Sequence, residues 1–212
     1  MALSLNKQKE KDWNNLIKQE AKNFGWKFKS FFTYKSSKDF FYDVTFCTSG
    51  FDNSISGSLS FKPLIIDEKF WEIVDLIDNK KMPLSLRGNG AFVVSSKDIF
   101  DYKLEVVPEN LKVDIDNLFY RINLKVDELQ STINNLETFI SFIEQNPSKR
   151  SKWFDVDMLI VAFIVQQKYD KALSLLDYAK TNRGMCSWGF GDKDFYDLAI
   201  EYCQVTSDKN YR

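Results

Sequence analysis

FDVD places two carboxylates, Asp155 and Asp157, close together, and IFDY adds Asp101. Glycoside hydrolysis needs only two such groups, set about 5–9 Å apart. The spacing argues against it. Residues two apart on a helix do not face one another, and Asp155 falls near a helix start, where the dipole stabilises negative charge. LRGNGA, Leu86 to Ala91, offers backbone amides to a phosphate. It lacks the Gly-Lys-Ser/Thr ending of a P-loop and the third glycine of a dinucleotide fingerprint, and it reads as a turn before a strand. RGMCSWGFGDKD, Arg183 to Asp194, sets Cys186 near Arg183, a cation that would lower a thiol pKa. No imidazole base is at hand, because the sequence has no histidine. That absence removes Ser-His, Cys-His and His-metal sites from these residues. Cys47, Cys186 and Cys203 are widely spaced with no CxxC pair, which gives no zinc pattern. No catalytic residue, metal or cofactor is expected.

A contact surface remains. Asp194, Asp197 and Glu201 recur at i, i+3 and i+7, so they share one side of the last helix, and Asp192 precedes them. Trp188 and Phe190 adjoin them in a loop whose Gly184 reads as a helix C-cap and whose Gly189 and Gly191 let the chain reverse. The two aromatics either fill a gap between helices or face a partner. Tryptophan beside concentrated charge is common where proteins meet. Glu68, Glu72 and Asp75 form a second acidic stripe on an earlier helix. These nine residues are the expected partner-binding set.

Composition bounds the partner. Lysine and arginine number 29 against 30 aspartate and glutamate, a net charge of −1. Nucleic acid is not expected as a partner, since binding it takes a clustered basic face. The longest apolar run, MLIVAFIV, is too short to cross a bilayer, and the N-terminus lacks the apolar core of a signal peptide. No membrane partner and a cytoplasmic location are expected, with reduced thiols.

The elements that would position these residues follow from periodicity. Trp13, Leu16, Ile17, Ala21 and Phe24 recur at helical spacing from Lys7, and Gly25 ends that helix. Period-two alternation then gives strands over WKFKSFFTYK, FFYDVTFC and SISGSLSFK, with Phe31 alone on the lysine side of the first. Short turns predict an antiparallel meander with one face open to water. A helix begins near Asp67, MPLSLRGNG is a loop, and AFVVSS and YKLEVV are two more strands, joined by a second copy of the turn SSKD. From Pro108, apolar residues from Leu111 through Ile122, Val126 and Ile133 to Ile143 recur close to a heptad, with a stutter between Ile122 and Val126. Unbroken, that helix would run about 55 Å at 1.5 Å per residue, so it breaks, spans the protein, or zips into a coiled-coil dimer. A monomer is favoured, because later helices can cover the stripe. Helices follow from Trp153, from Tyr169 and from Asp192. The expected fold is α+β: a sheet of about five strands with an N-terminal helix over 1–107, then a helical region over 108–212 packed on it as one unit.

The order helix, NFGWKFKSFFTYK, DFFYDVTF and GSLSFKPLIID, with its Gly25-Trp26-Lys27 step, resembles a family of bacterial domains found among immunity proteins of polymorphic-toxin and contact-dependent inhibition systems. The likeness covers Lys11 to Val107 and brings no catalytic residues. It implies a non-catalytic, stoichiometric function: binding and neutralising a cognate toxin in the cytosol. Acidic patches would suit a basic nuclease toxin. The rival expectations are a structural or adaptor protein that dimerises through Leu111 to Ile143, and a histidine-free enzyme working with carboxylates.

Overall fold

The structure, a computed structural model, describes residues 2–89, 92–149, 151–184, 186 and 188–210. It is α+β, with a five-stranded antiparallel sheet, an N-terminal helix and a largely helical C-terminal half. The chain divides into two compact units, Met1–Lys62 with Asp98–Asn134, and Pro63–Lys97 with Asn135–Arg212. This division differs from the one expected at residues 107 and 108. The first part of the long apolar repeat goes with the sheet, and the segment after the meander goes with the later helices.

The first unit opens with helix α1 (Ala2–Asn23), followed by β1 (Lys27–Lys29), β2 (Phe32–Ser37), β3 (Phe40–Ser49), β4 (Ser54–Pro63), β5 (Lys97–Glu105) and helix α4 (Leu111–Thr132). Gly25 ends α1 with φ +81, as read from the sequence. The sheet runs in chain order, β1 to β5. Its count of five matches the expectation, but three of the strands expected differ. The single strand read over WKFKSFFTYK folds back on itself. Lys29 pairs with Phe32, and Ser30 takes φ 57 at the turn between them. The odd Phe31 is thus the tip of a hairpin and stands exposed. The two strands read over AFVVSS and YKLEVV are replaced by one. Ala91 lies outside the described residues, 92–96 form no strand, and β5 begins at Lys97. The repeated SSKD therefore has two shapes. At 36–39 it closes a hairpin, with Lys38 at φ 53, and at 95–98 it leads into β5.

The water-facing side expected for the meander is missing along β3. Phe40, Tyr42, Val44 and Phe46 are buried on one face, and Phe41 and Asp43 on the other. Ser58 and Ser60 of β4 are buried and bond to polar neighbours. Ser60 Oγ donates to Asp98 Oδ1 at 2.8 Å, and Ser58 Oγ lies 3.2 Å from Thr45 Oγ1. On the aromatic face, Phe61 stacks on Phe40 and Tyr42, and Phe46 meets Phe119 of α4. Leu111, Ile115, Leu118, Ile122, Val126, Leu129 and Ile133 are all buried. A coiled-coil dimer through this stripe would have to expose that core. The repeat stops at Ile133, not at the stutter. Asn135 caps the next helix, accepting the Thr138 N–H at 2.9 Å in a reciprocal capping box.

The second unit carries α2 (Leu64–Ile73), a 3₁₀ turn (Ile77–Lys81), α3 (Leu86–Asn89), α5 (Leu136–Gln145), α6 (Lys152–Val165), α7 (Tyr169–Asn182), the hairpin β6 (Gly189–Phe190) and β7 (Lys193–Asp194), and α8 (Phe195–Asn210). Helix α6 is buried along most of its length, as its composition requires. Helix α2 begins three residues earlier than expected, behind Pro63. Asp67 is not its cap: it is fully buried, and its carboxylate accepts the Val94 N–H at 3.1 Å. Part of the expected loop MPLSLRGNG is α3, and Gly90 lies outside the described residues.

One glycine tests the sheet. Tyr102 Oη crosses Gly57 to donate to the Thr45 carbonyl at 2.6 Å, and a Cβ on Gly57 would overlap that carbonyl oxygen and press on the hydroxyl. Gly57→Ala is expected to cost about 3 kcal/mol in urea unfolding by overpacking. Tyr102→Phe, which removes one hydrogen bond, should cost about 1 kcal/mol. An alanine variant as stable as the parent would show that the close approach is not native.

Candidate functional site

The loop after α7 is a fastened hairpin. Gly184 leaves α7 with φ +76, as expected for its C-cap. Phe190 pairs with Lys193 across a two-residue turn whose first residue, Gly191, has φ +70. Only glycine takes that position freely in a tight hairpin. Asp194 closes the base. Its Oδ2 accepts the Cys186 N–H at 2.8 Å and its Oδ1 the Asp197 N–H at 3.1 Å. Asp197 Oδ2 accepts the Asp194 N–H in return, at 3.1 Å, so the pair forms a capping box for α8. The Phe195 N–H donates to the Trp188 carbonyl at 3.1 Å.

Aromatic rings fill the space behind and beside this hairpin. Trp188 meets Phe70 of α2 and Phe195 of α8 edge-on, with centroids 5.0 and 5.8 Å away, and it is half-buried. It therefore fills a gap, though between α2 and α8, not between the last two helices. Phe190 lies 5.3 Å from Phe92, which is 39% exposed. Trp71 Nε1 donates to the Phe92 carbonyl at 2.6 Å and holds that segment in place. The pair Phe190 and Phe92 is the half-exposed aromatic patch of this unit. Phe92 was missed in the sequence because FVV reads as a strand.

The acidic stripes are not free charge. Asp194 is buried and spends both oxygens on backbone amides. Asp197 pairs with Lys180 of α7, a hydrogen bond that holds its carboxyl below the usual range. Glu201 pairs with Lys193 at 2.7 Å, and Glu68 with Arg87 at 2.9 Å. Glu72 takes Lys69 at 2.8 Å and the Tyr202 hydroxyl at 2.6 Å. Asp75 has left the helix, with φ 56, and stands exposed, as does Asp192 at the hairpin turn. Helical spacing put Asp197 and Glu201 on one helix and Glu68 and Glu72 on another, but Asp194 lies on β7 and Asp75 past the end of α2. It gave no sign of the cations that α3, α7 and β7 bring to them.

The groups considered for chemistry are held apart. Lys97 Nζ, buried, bonds Asp155 at 2.8 Å and Ser148 Oγ at 2.9 Å. Asp157 instead bonds Arg183 at 3.0 Å and the Tyr196 hydroxyl at 2.8 Å. Burial pushes the Asp157 carboxyl up, against the pull of Tyr196 and Arg183. Arg183, near in sequence, does not activate Cys186. Burial pushes that thiol up to about 11, and Cys203 likewise. An open hollow of about 360 Å³ is lined by Glu144, Phe163, Asp170, Lys171, Ser174 and Leu175, and neither Asp155 nor Asp157 reaches it. Among the described residues no group of three His, Cys, Asp or Glu is placed to hold a metal ion, and no helix is long and apolar enough to cross a membrane.

No protein-family model, curated protein or solved structure matches the chain.

Two measurements check this geometry. Asp194→Ala removes a cap and strands the buried Cys186 amide, and it should cost about 2–3 kcal/mol in thermal or urea unfolding. A loss under 0.5 kcal/mol would contradict the capping role. At pH 8 the exposed Cys47 should react with a disulfide reagent within minutes, while Cys186 and Cys203, protonated and buried, react only on unfolding. Three equally fast thiols in the folded protein would refute it.

Proposed function

We propose that this chain is a non-catalytic protein that binds and neutralises a cognate bacterial toxin, in the manner of immunity proteins. The supporting observation is the fastened hairpin, which holds Phe190 beside Phe92 at the surface, with Trp188 wedged behind, before any partner arrives. A contact surface ordered in advance loses less conformational entropy on binding. Aromatic side chains give much contact area for few rotatable bonds. Asp192 at the turn and the paired acids around it supply the polar rim. The adaptor reading would use a seam of which Leu111, Ile115, Leu118, Ile122, Val126, Leu129 and Ile133 are buried.

The test is co-expression with toxin domains taken from the genes that neighbour this one. The chain should restore growth and form a one-to-one complex in titration calorimetry. Phe190→Ala and Phe92→Ala should each weaken that complex at least tenfold, about 1.4 kcal/mol. Protection without a detectable complex would overturn the proposal, and so would a complex indifferent to both changes.

A further inference from the structure

Helix α1 carries a row of free lysines. Lys7, Lys11, Lys18 and Lys22 are exposed, and none has a hydrogen bond or ion pair among the described residues. At 3.6 residues per turn they fall within about 60° of the helix circumference, along about 22 Å of its length. The exposed amides Gln8, Asn15 and Gln19 flank them, and the exposed Lys27 and Lys29 of β1 follow. Of the three carboxylates of α1, two are engaged by groups off the helix and one by a neutral amide on it. Glu10 accepts the Gly50 N–H at 2.8 Å, Asp12 accepts Gln8 Nε2 at 2.8 Å, and Glu20 is buried 3.4 Å from Lys112. Several lysines elsewhere are ion-paired, as at Lys69, Lys125, Lys180 and Lys193. A net charge of −1 therefore hides a segregated cationic face.

From this geometry we infer that the row binds the phosphate backbone of a nucleic acid. Lysines four apart on a helix stand about 6 Å apart and meet successive anionic groups along a strand. Such contacts need cations and little else. A protein partner would want an apolar anchor inside the patch, and the row has none. A membrane would want the apolar face of the helix, and Trp13, Ile17 and Ala21 on that face are buried. The site lies on the first unit and stands independently of the toxin-binding proposal.

Fluorescence anisotropy with a labelled 20-nucleotide single strand, and with its duplex, tests it. Four neutralised phosphates give a slope of log K against log salt near −2.8 for the single strand, or about a 50-fold loss between 50 and 200 mM salt. Lys11→Gln with Lys18→Gln should halve that slope, so that the loss over the same range falls to about sevenfold. Lys112→Gln with Lys125→Gln, which changes paired lysines, should leave it unaltered. Circular dichroism confirms that the helix is kept, and Lys7→Gln with Lys22→Gln serves as a second pair with the same expected effect. No binding at 50 mM salt would overturn the inference, as would an unchanged slope in both row variants. Equal affinity for poly-glutamate of matched charge would assign the row to an acidic protein surface instead.

Discussion

A buried carboxylate persists only where hydrogen bonds replace the water it has lost. Asp194 meets that demand with two backbone amides, one from the loop before the hairpin and one from the first turn of α8. The same two bonds fix where the hairpin starts and where the helix starts. The spacing between Cys186 and Asp197 is thus set by one side chain. The positions of Trp188 and Phe190 follow, because the Trp188 carbonyl is tied to Phe195 and Phe190 is paired to Lys193. The aromatic patch depends on that carboxylate more than on the rings themselves.

The sheet obeys a comparable constraint at Gly57. A tyrosine on β5 reaches the backbone of β3 only if the strand between them has no side chain at the crossing point. Glycine inside a strand is otherwise unfavourable. Here it allows a hydrogen bond between non-adjacent strands and lets Tyr102 pack against Phe46. The aromatic excess of the sequence becomes two ring clusters in this unit, one of Phe40, Tyr42 and Phe61 and one of Phe46, Tyr102 and Phe119.

Regular periodicity was legible and its interruptions were not. The buried faces of α1, α4 and α6 follow from spacing alone, as do Gly25 and Gly184 at helix ends. The errors fall where one residue changes the path. Ser30 turns a ten-residue strand into a hairpin, and the only hint was Phe31 on the wrong side. Asn135 and Thr138 end the heptad run by capping, a signal present in the sequence as Asn-x-x-Thr but outweighed by the repeat on either side. Asp67 looked like a cap and serves a backbone amide from a segment 27 residues later. No local pattern encodes such a partner.

The candidate surfaces fared according to the same rule. Along one helix, spacing says which side chains share a face, as it does for Asp197 and Glu201, while Asp194 lies buried on β7 before that helix begins. Whether that face is charged depends on what other elements bring to it. Lys180 arrives from α7 and Lys193 from β7, so two of the three acids of that stripe are ion-paired. On α1 the reverse holds. The acids turn toward a backbone amide, a glutamine and a buried niche, and the lysines between them are left without partners. Exposed ion pairs contribute little to stability, about 0–1 kcal/mol each. Their larger effect in this chain is on the field the surface presents: pairing removes it from α8, and its absence leaves it on α1. Two helices that each carry acids and lysines therefore present different faces to a partner. That difference comes from tertiary placement, which a net charge of −1 cannot register.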